Sequence, residues 1–269
     1  MSETQFEFTK DNIDLYLKEL AKEYRKRVGK NMPAELILIG GASVLVNYGF
    51  RDMTTDIDAI IQAASSMKDA INNIGDRFHL PNGWLNADFQ KTDSYSSRLT
   101  LFSTYYKTFS NVLFIRTISA EYLIAMKLRS GRQYKSDLSD VLGILAEHEK
   151  RGIPITMVQI QRAVTDLYGE WAVLPEASRA FIKNILENGK YEQLFEQTQK
   201  GEQETKELLI QFEQDYPGVT KQDNVDHIAE TLQRKADKAS ILAKLRQIQS
   251  QPAQSGQATQ PEKKQNTDR

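Results

Sequence analysis

Ile39-Gly40-Gly41-Ala42-Ser43, followed a short way on by Thr54-Thr55-Asp56-Ile57-Asp58, is the stretch that decides how this chain reads. Glu35-Leu36-Ile37-Leu38-Ile39 has the unbroken apolar character of a buried strand, and Ala42 to Tyr48 reads as a short helix. Gly40 and Gly41 therefore fall at a strand-to-helix turn, where the backbone must bend and can approach a ligand closely. The N–H groups at the start of such a helix attract phosphate, and Ser43 adds a hydroxyl donor beside them. Asp56 and Asp58 are two residues apart, so on an extended strand both carboxylates point to one side. Two like charges that close repel unless a cation lies between them. Magnesium takes a few carboxylates together with phosphate oxygens, and two such ions can clamp the attacking and leaving oxygens of a displacement at phosphorus. Glycine turn and acid pair together describe a site for a nucleoside triphosphate.

Working outward, Thr9 caps an amphipathic helix that runs to about Val28, with Ile13, Leu17, Leu20 and Tyr24 at helical spacing. Beyond the acid pair, Ser65 to Ile74 reads as a helix ended by Gly75, and Leu85 to Phe89 as a short strand. Leu99 to Tyr106 and Val112 to Thr117 read as further strands. Ser119 caps the next helix, and another begins near Ser136. Past residue 150 every strong pattern is helical, ending in two long stretches, 191–216 and 224–249, whose apolar positions suggest an antiparallel pair. The last residues are rich in Gln, Ser, Pro and charge and are expected to be disordered. The expected organisation is α+β: a catalytic domain over 1–150, with a small mixed sheet flanked by helices, then a helical bundle over 151–250 and a disordered tail over 251–269.

Further along, Trp84-Leu85-Asn86-Ala87-Asp88-Phe89, Tyr122 to Leu128 with Lys127 among apolar residues, Arg132, and Lys135-Ser136-Asp137-Leu138-Ser139-Asp140 complete the set of suggestive motifs. The segment Ile39 to Ile61, an apolar strand, a glycine pair and then Asp-x-Asp, resembles the signature of the nucleotidyltransferase superfamily, whose fold is polymerase-beta-like, and these later segments narrow the resemblance. Trp84 to Phe89 resembles a segment of uncharacterised bacterial nucleotidyltransferases. The Lys127 and Asp137/Asp140 segments resemble motifs of AbiEii-like proteins, the toxins of type IV abortive-infection toxin–antitoxin systems, with the mycobacterial MenT toxins as relatives. The resemblance covers roughly residues 34–145. It implies Mg2+ as a two-ion cofactor (or Mn2+ in its place), an NTP substrate, transfer of a nucleoside monophosphate to an acceptor hydroxyl such as the 3′ end of tRNA, and a cognate antitoxin as partner.

The resemblance also implies a third metal-binding acid. Asp88 is the candidate, read either as that ligand or as a plain loop acid beside a core-anchoring Trp84. Lys127 needs a reason to sit among Leu123, Ile124, Met126 and Leu128, and a charge on triphosphate oxygens, shared with Arg132, would be one. Asp137 and Asp140 lie on one helical face. Either would orient Lys127 or Arg132, or take the proton of the attacking hydroxyl. For Asp137 the plainer reading is an acid favoured at a helix N-terminus.

Residues 91–135 are locally basic, with Lys91, Arg98, Lys107, Arg116, Lys127, Arg129, Arg132 and Lys135 against only Asp93 and Glu121, and tyrosines interleave; this reads either as a surface for a polyanion or as a solvated basic face with core aromatics. Overall charge gives no such bias, since 35 basic residues meet 36 acidic ones. There is no cysteine, which excludes thiolate metal sites and fits a reducing cytoplasm. The polar N-terminus and the lack of a long apolar run predict a soluble chain with no membrane partner. Two alternatives stay open: a catalytically silent nucleotide- or partner-binding protein, and an adenylyltransferase acting on a small molecule. One core serves all of them.

Overall fold

The computed structural model describes residues 6–132, 134–221 and 223–250. The chain opens with a two-residue strand, β1 (Phe8–Thr9), then α1 (Ile13–Val28). The expected Thr9 cap is displaced: Thr9 is extended and pairs with Met53, and its N–H donates to Asn12 Oδ1 at 2.9 Å. Next come β2 (Ala34–Leu38), α2 (Gly40–Asn47), β3 (Met53–Thr54), β4 (Ile57–Gln62), α3 (Ser66–Phe78) and β5 (Leu85–Asn86). Two 3-10 turns, Asp88–Lys91 and Ser97–Phe102, lead into β6 (Ser103–Phe109) and β7 (Leu113–Ile118). The helices α4 (Ala120–Ser130), α5 (Asp137–Lys150), α6 (Met157–Tyr168), α7 (Glu176–Asn188), α8 (Tyr191–Asp215) and α9 (Val225–Ser250) complete the described chain.

Five strands form one mixed sheet in the order β5-β4-β2-β7-β6, and β1 and β3 form a separate pair. β2 is the hub, antiparallel to β4 and parallel to β7. This puts the C-terminal end of β2 beside the N-terminal end of β4, so the glycine turn and the acid pair lie at the same end of these two adjacent strands. Alternation along β2 sorts the core into two layers. Leu36 and Leu38 join Leu17, Leu20 and Tyr24 of α1 and Met67, Ala70 and Ile74 of α3 on one face. Ile37 joins Leu123, Ile124, Val141 and Ile144 of α4 and α5 on the other. Asp58 shares the second face with Ile60, and so points toward the α4–α5 layer.

Two element boundaries differ from the sequence reading for a packing reason. α3 runs through Gly75 to Phe78, because Gly75 is a contact residue: a Cβ there would lie 3.4 Å from the Trp84 indole. The helix stops instead at His79, which turns left-handed. Residues 97–102 form a 3-10 turn rather than the start of a strand, since the Ser96 hydroxyl accepts from Arg98 N–H and donates to Leu167 O. The α+β class stands: a small mixed sheet with helices, then a helical C-terminal part.

Two compact units divide the chain, the first running to Glu207 and the second starting at Leu208 within α8. In the second, Glu213 accepts from the N–H groups of Gly218 and Thr220 at the turn after α8, and Phe212 packs on Tyr216. The tail expected to be disordered, 251–269, lies outside the described residues, as do the side chains of Ile241, Leu242 and Leu245.

Candidate active site

The turn after β2 brings backbone and carboxylate together. Ile39 is extended, Gly40 takes a φ of +54°, and α2 begins at Gly40 itself, so both glycines belong to the first helical turn. Ser43 N–H is the first amide here with a helical acceptor, Ile39 O at 3.2 Å, and the amides before it are the donors a phosphate would use. Across the turn, Ile39 N–H donates to Asp58 O at 2.9 Å, and a Cβ on Gly40 would stand 3.8 Å from Asp58 Oδ2. Gly40 serves its positive φ, whereas Gly41 serves space. A Cβ on Gly41 would meet Thr54 Oγ at 2.7 Å and Arg51 Nη2 at 2.8 Å. Ser43 faces inward: it is fully buried, and its hydroxyl accepts from Ile118 N–H.

Only one of the two acids is on a strand. Asp58 is the second residue of β4, while Asp56 lies in the bend before it and is exposed. They are nonetheless neighbours. Burial pushes the Asp58 carboxyl up to about 6, the Asp56 charge adds to this, and Lys135 and Arg132 act against it. Lys135 feels the same group in reverse: the protein packed about it and the Arg132 charge hold its ammonium below the ordinary lysine value. Asp56, Asp58, Arg132 and Lys135 thus form one electrostatic cluster at the turn.

Asp88 takes a different course. β5 lies parallel beside β4 with Asn86 opposite Asp58, but Asp88 falls beyond it on a 3-10 turn. Its carboxylate is exposed and pairs with Lys91 at 2.7 Å. Among the described residues no group of three His, Cys, Asp or Glu side chains is assembled for a metal. Asp56 and Asp58 fit a hard divalent ion as a donor pair, since both are carboxylates whose charges need neutralising. Such an ion would complete its shell with phosphate oxygens and water.

Behind the cluster runs a buried chain of alternating charge. Lys127, on α4, places its ammonium 2.9 Å from Asp137 Oδ1 and 2.7 Å from Asp140 Oδ2. Asp137 also accepts from Arg132 Nε at 2.8 Å, and Asp140 from Arg51 Nη1 at 2.6 and 2.8 Å. Asp137 is fully buried and Lys127 is 8% exposed. Burial alone would neutralise both, but the pairing reverses it. Lys127 is held above the ordinary lysine range, and Asp137 well below the carboxylate range by Lys127 and Arg132. Three cations and two anions leave this chain with an excess of one positive charge beside the glycine turn. Its two ends, Arg51 at Gly41 and Arg132 near Asp58, are what reach the turn.

Geometry therefore recasts two sequence expectations. The Lys127 ammonium points at the two carboxylates of Asp137 and Asp140. Asp137, sealed and accepting from two cations, is closed to a substrate proton. The N-terminus of α5, which carries Asp137 and Asp140, is itself fixed from α8: Glu202 accepts from the N–H groups of Leu138 and Ser139 and from the Ser139 hydroxyl. Arg51 and Glu202 escaped the sequence reading. Neither sits in a motif, although Arg51 stands only five residues ahead of Asp56.

The basic segment is mostly spent within the fold. Lys91 pairs with Asp88, Lys107 with Asp14, and Arg116 with Ser103 and Glu35. Arg129 donates to the carbonyls of Asp93 and Val173, tying three segments together.

Residues 15–146, which contain every part of this site except Glu202, match the model of a family described as nucleotidyltransferase of unknown function (DUF6036). This segment is similar to the nucleotidyltransferases. No match was found among curated proteins or among solved structures. Among the described residues, no helix is long and apolar enough to cross a membrane.

Proposed function

We propose that the protein transfers a nucleoside monophosphate from an NTP to an acceptor hydroxyl. One observation carries this: the glycine turn that opens α2 stands 3.8 Å (measured from the absent Gly40 Cβ) from the Asp58 carboxylate, with Asp56, Arg132 and Lys135 around it. Free helix amides, two carboxylates and two cations converge at one end of the adjacent strands β2 and β4. In the reaction the acceptor hydroxyl gives up its proton to water, its oxygen forms a bond to the α-phosphorus, the bond from that phosphorus to the bridging β-phosphate oxygen breaks, and pyrophosphate leaves. The amides at the start of α2 bind phosphate oxygens. Arg132 and Lys135 offset charge on the leaving group, and the Lys127–Asp137 pair keeps Arg132 in place. Asp56 and Asp58 would hold Mg2+, which when bound polarises the phosphoryl oxygens and offsets their charge.

A narrower reading, a toxin of a type IV toxin–antitoxin system that modifies tRNA, is supported by the likeness of the Lys127 and Asp137/Asp140 motifs to AbiEii-like proteins. The spent cations of 91–135 withdraw one support from it. Incubation with NTPs labelled at the α-phosphate, total RNA and aminoglycosides separates the cases. Label in tRNA supports the toxin, and label in a small molecule supports an adenylyltransferase. Nucleotide binding without transfer to any acceptor supports a silent binder.

A further inference from the structure

The glycine turn is held from behind by a side chain that the transfer reaction leaves without a task. Arg51 lies in the loop between α2 and β3, and its guanidinium is engaged on three sides. Nε donates to Met53 O at 3.1 Å, Nη1 donates to both carboxylate oxygens of Asp140, and Nη2 lies 2.8 Å from where a Gly41 Cβ would stand. The side chain is 18% exposed. Asp140 is shared with Lys127, so the group that presses on the turn is wired to the ion chain ending at Arg132. Thr54 Oγ closes the other side of the same gap, at 2.7 Å from the Gly41 Cβ position. Glycine at 41 is thus the counterpart of Arg51: the missing methyl is the space the guanidinium fills. A planar fork can bond Asp140, Met53 and the turn at once, and a lysine ammonium cannot.

We propose that Arg51 is a positioning residue for the triphosphate: by packing on Gly41 and bonding Asp140 it sets the direction of the first α2 amides and couples them to the ion chain. This rests on the nucleotidyl-transfer reading. Its test is calorimetric titration of the full chain with Mg2+ and non-hydrolysable analogues of ATP, CTP, GTP and UTP. The proteins compared are wild type, Arg51→Met, Arg51→Lys and Asp14→Asn. Asp14 serves as control because it pairs with Tyr106 and Lys107 from α1, on the opposite face of the sheet. Triphosphate affinity should fall about tenfold or more in Arg51→Met and recover only in part in Arg51→Lys, while Asp14→Asn keeps wild-type affinity whatever its melting temperature. Wild-type affinity in folded Arg51→Met overturns the proposal, as does an equal loss in Asp14→Asn. If Arg51→Met does not fold, Arg51→Lys carries the test, and unchanged affinity there overturns it. Failure of the wild type to bind any of the four analogues refutes the transferase reading beneath it, a result distinct from the others.

Discussion

At the scale of single residues, the proposed site divides into groups that would face a ligand, Asp56 and Asp58, and a buried ion pair behind them, Lys127 with Asp137. The sequence marks Lys127 as needing a reason to be buried and offers Asp137 and Asp140 as groups to orient it, but it leaves a triphosphate open as the other partner, because two acids three apart on a helix could equally have faced solvent. Asp137 gives a pH test with a definite sign. Its folded pKa is depressed, so its pairing stabilises the fold above the unfolded carboxylate value near 4 and is lost as pH falls below it. Asp137→Asn leaves Lys127 and Arg132 short of a partner and should cost about 3–5 kcal/mol at pH 7. Urea unfolding at a series of pH values should also show a shallower acid limb than wild type. An acid limb of unchanged slope would mean that Asp137 is not the group that titrates. Gly41→Ala is the second test at this scale. A methyl driven against Arg51 and Thr54 should destabilise by about 1–3 kcal/mol even without nucleotide. A neutral effect in thermal unfolding would show that the turn is looser than its contacts imply.

At the scale of elements, the order strand, glycine turn, helix, strand was legible because each part follows local rules: an apolar run, a glycine pair, an acid pair. What the sequence left out came from contacts distant along the chain. Asp56 lies off its strand because β3 pairs with β1 before the chain enters β4, and no local pattern announces a two-residue pairing across more than forty residues. Gly75 read as a helix stop and proved to be the seat of Trp84. Glu202 lies more than sixty residues from the α5 amides it caps, so no capping motif revealed it. Glu202→Ala leaves those amides and the Ser139 hydroxyl without their acceptor and should cost about 1–2 kcal/mol. Denaturant unfolding checks this, and an unchanged midpoint would show that solvent caps α5 equally well.

For the whole molecule, the sheet is what unites the site. β2 runs antiparallel to β4 and parallel to β7, and the antiparallel pairing puts the strand ends that carry Gly40 and Asp58 side by side. The basic segment 91–135 shows the opposite case. Its charge bias is plain in sequence, yet folding directs Lys107, Arg116 and Arg129 to internal partners. Arg129→Ala should accordingly lower the melting temperature, by the equivalent of about 1–3 kcal/mol for two orphaned carbonyls, and leave any RNA affinity unchanged. A stable Arg129→Ala protein with weakened RNA binding and a flatter salt dependence would restore this residue to an RNA surface.

The claim on which the rest depends is transfer of the α-phosphate at Asp58, and paired labels test it most directly. The protein is incubated with Mg2+, total RNA and small-molecule acceptors, and with NTPs labelled at the α- or the γ-phosphate. Wild type should move the α label onto an acceptor and release the γ label as pyrophosphate. Folded Asp58→Ala should do both slower by about a thousandfold or more, the rate equivalent of several kcal/mol. Transfer of the γ label, or undiminished transfer of the α label by Asp58→Ala, would contradict it.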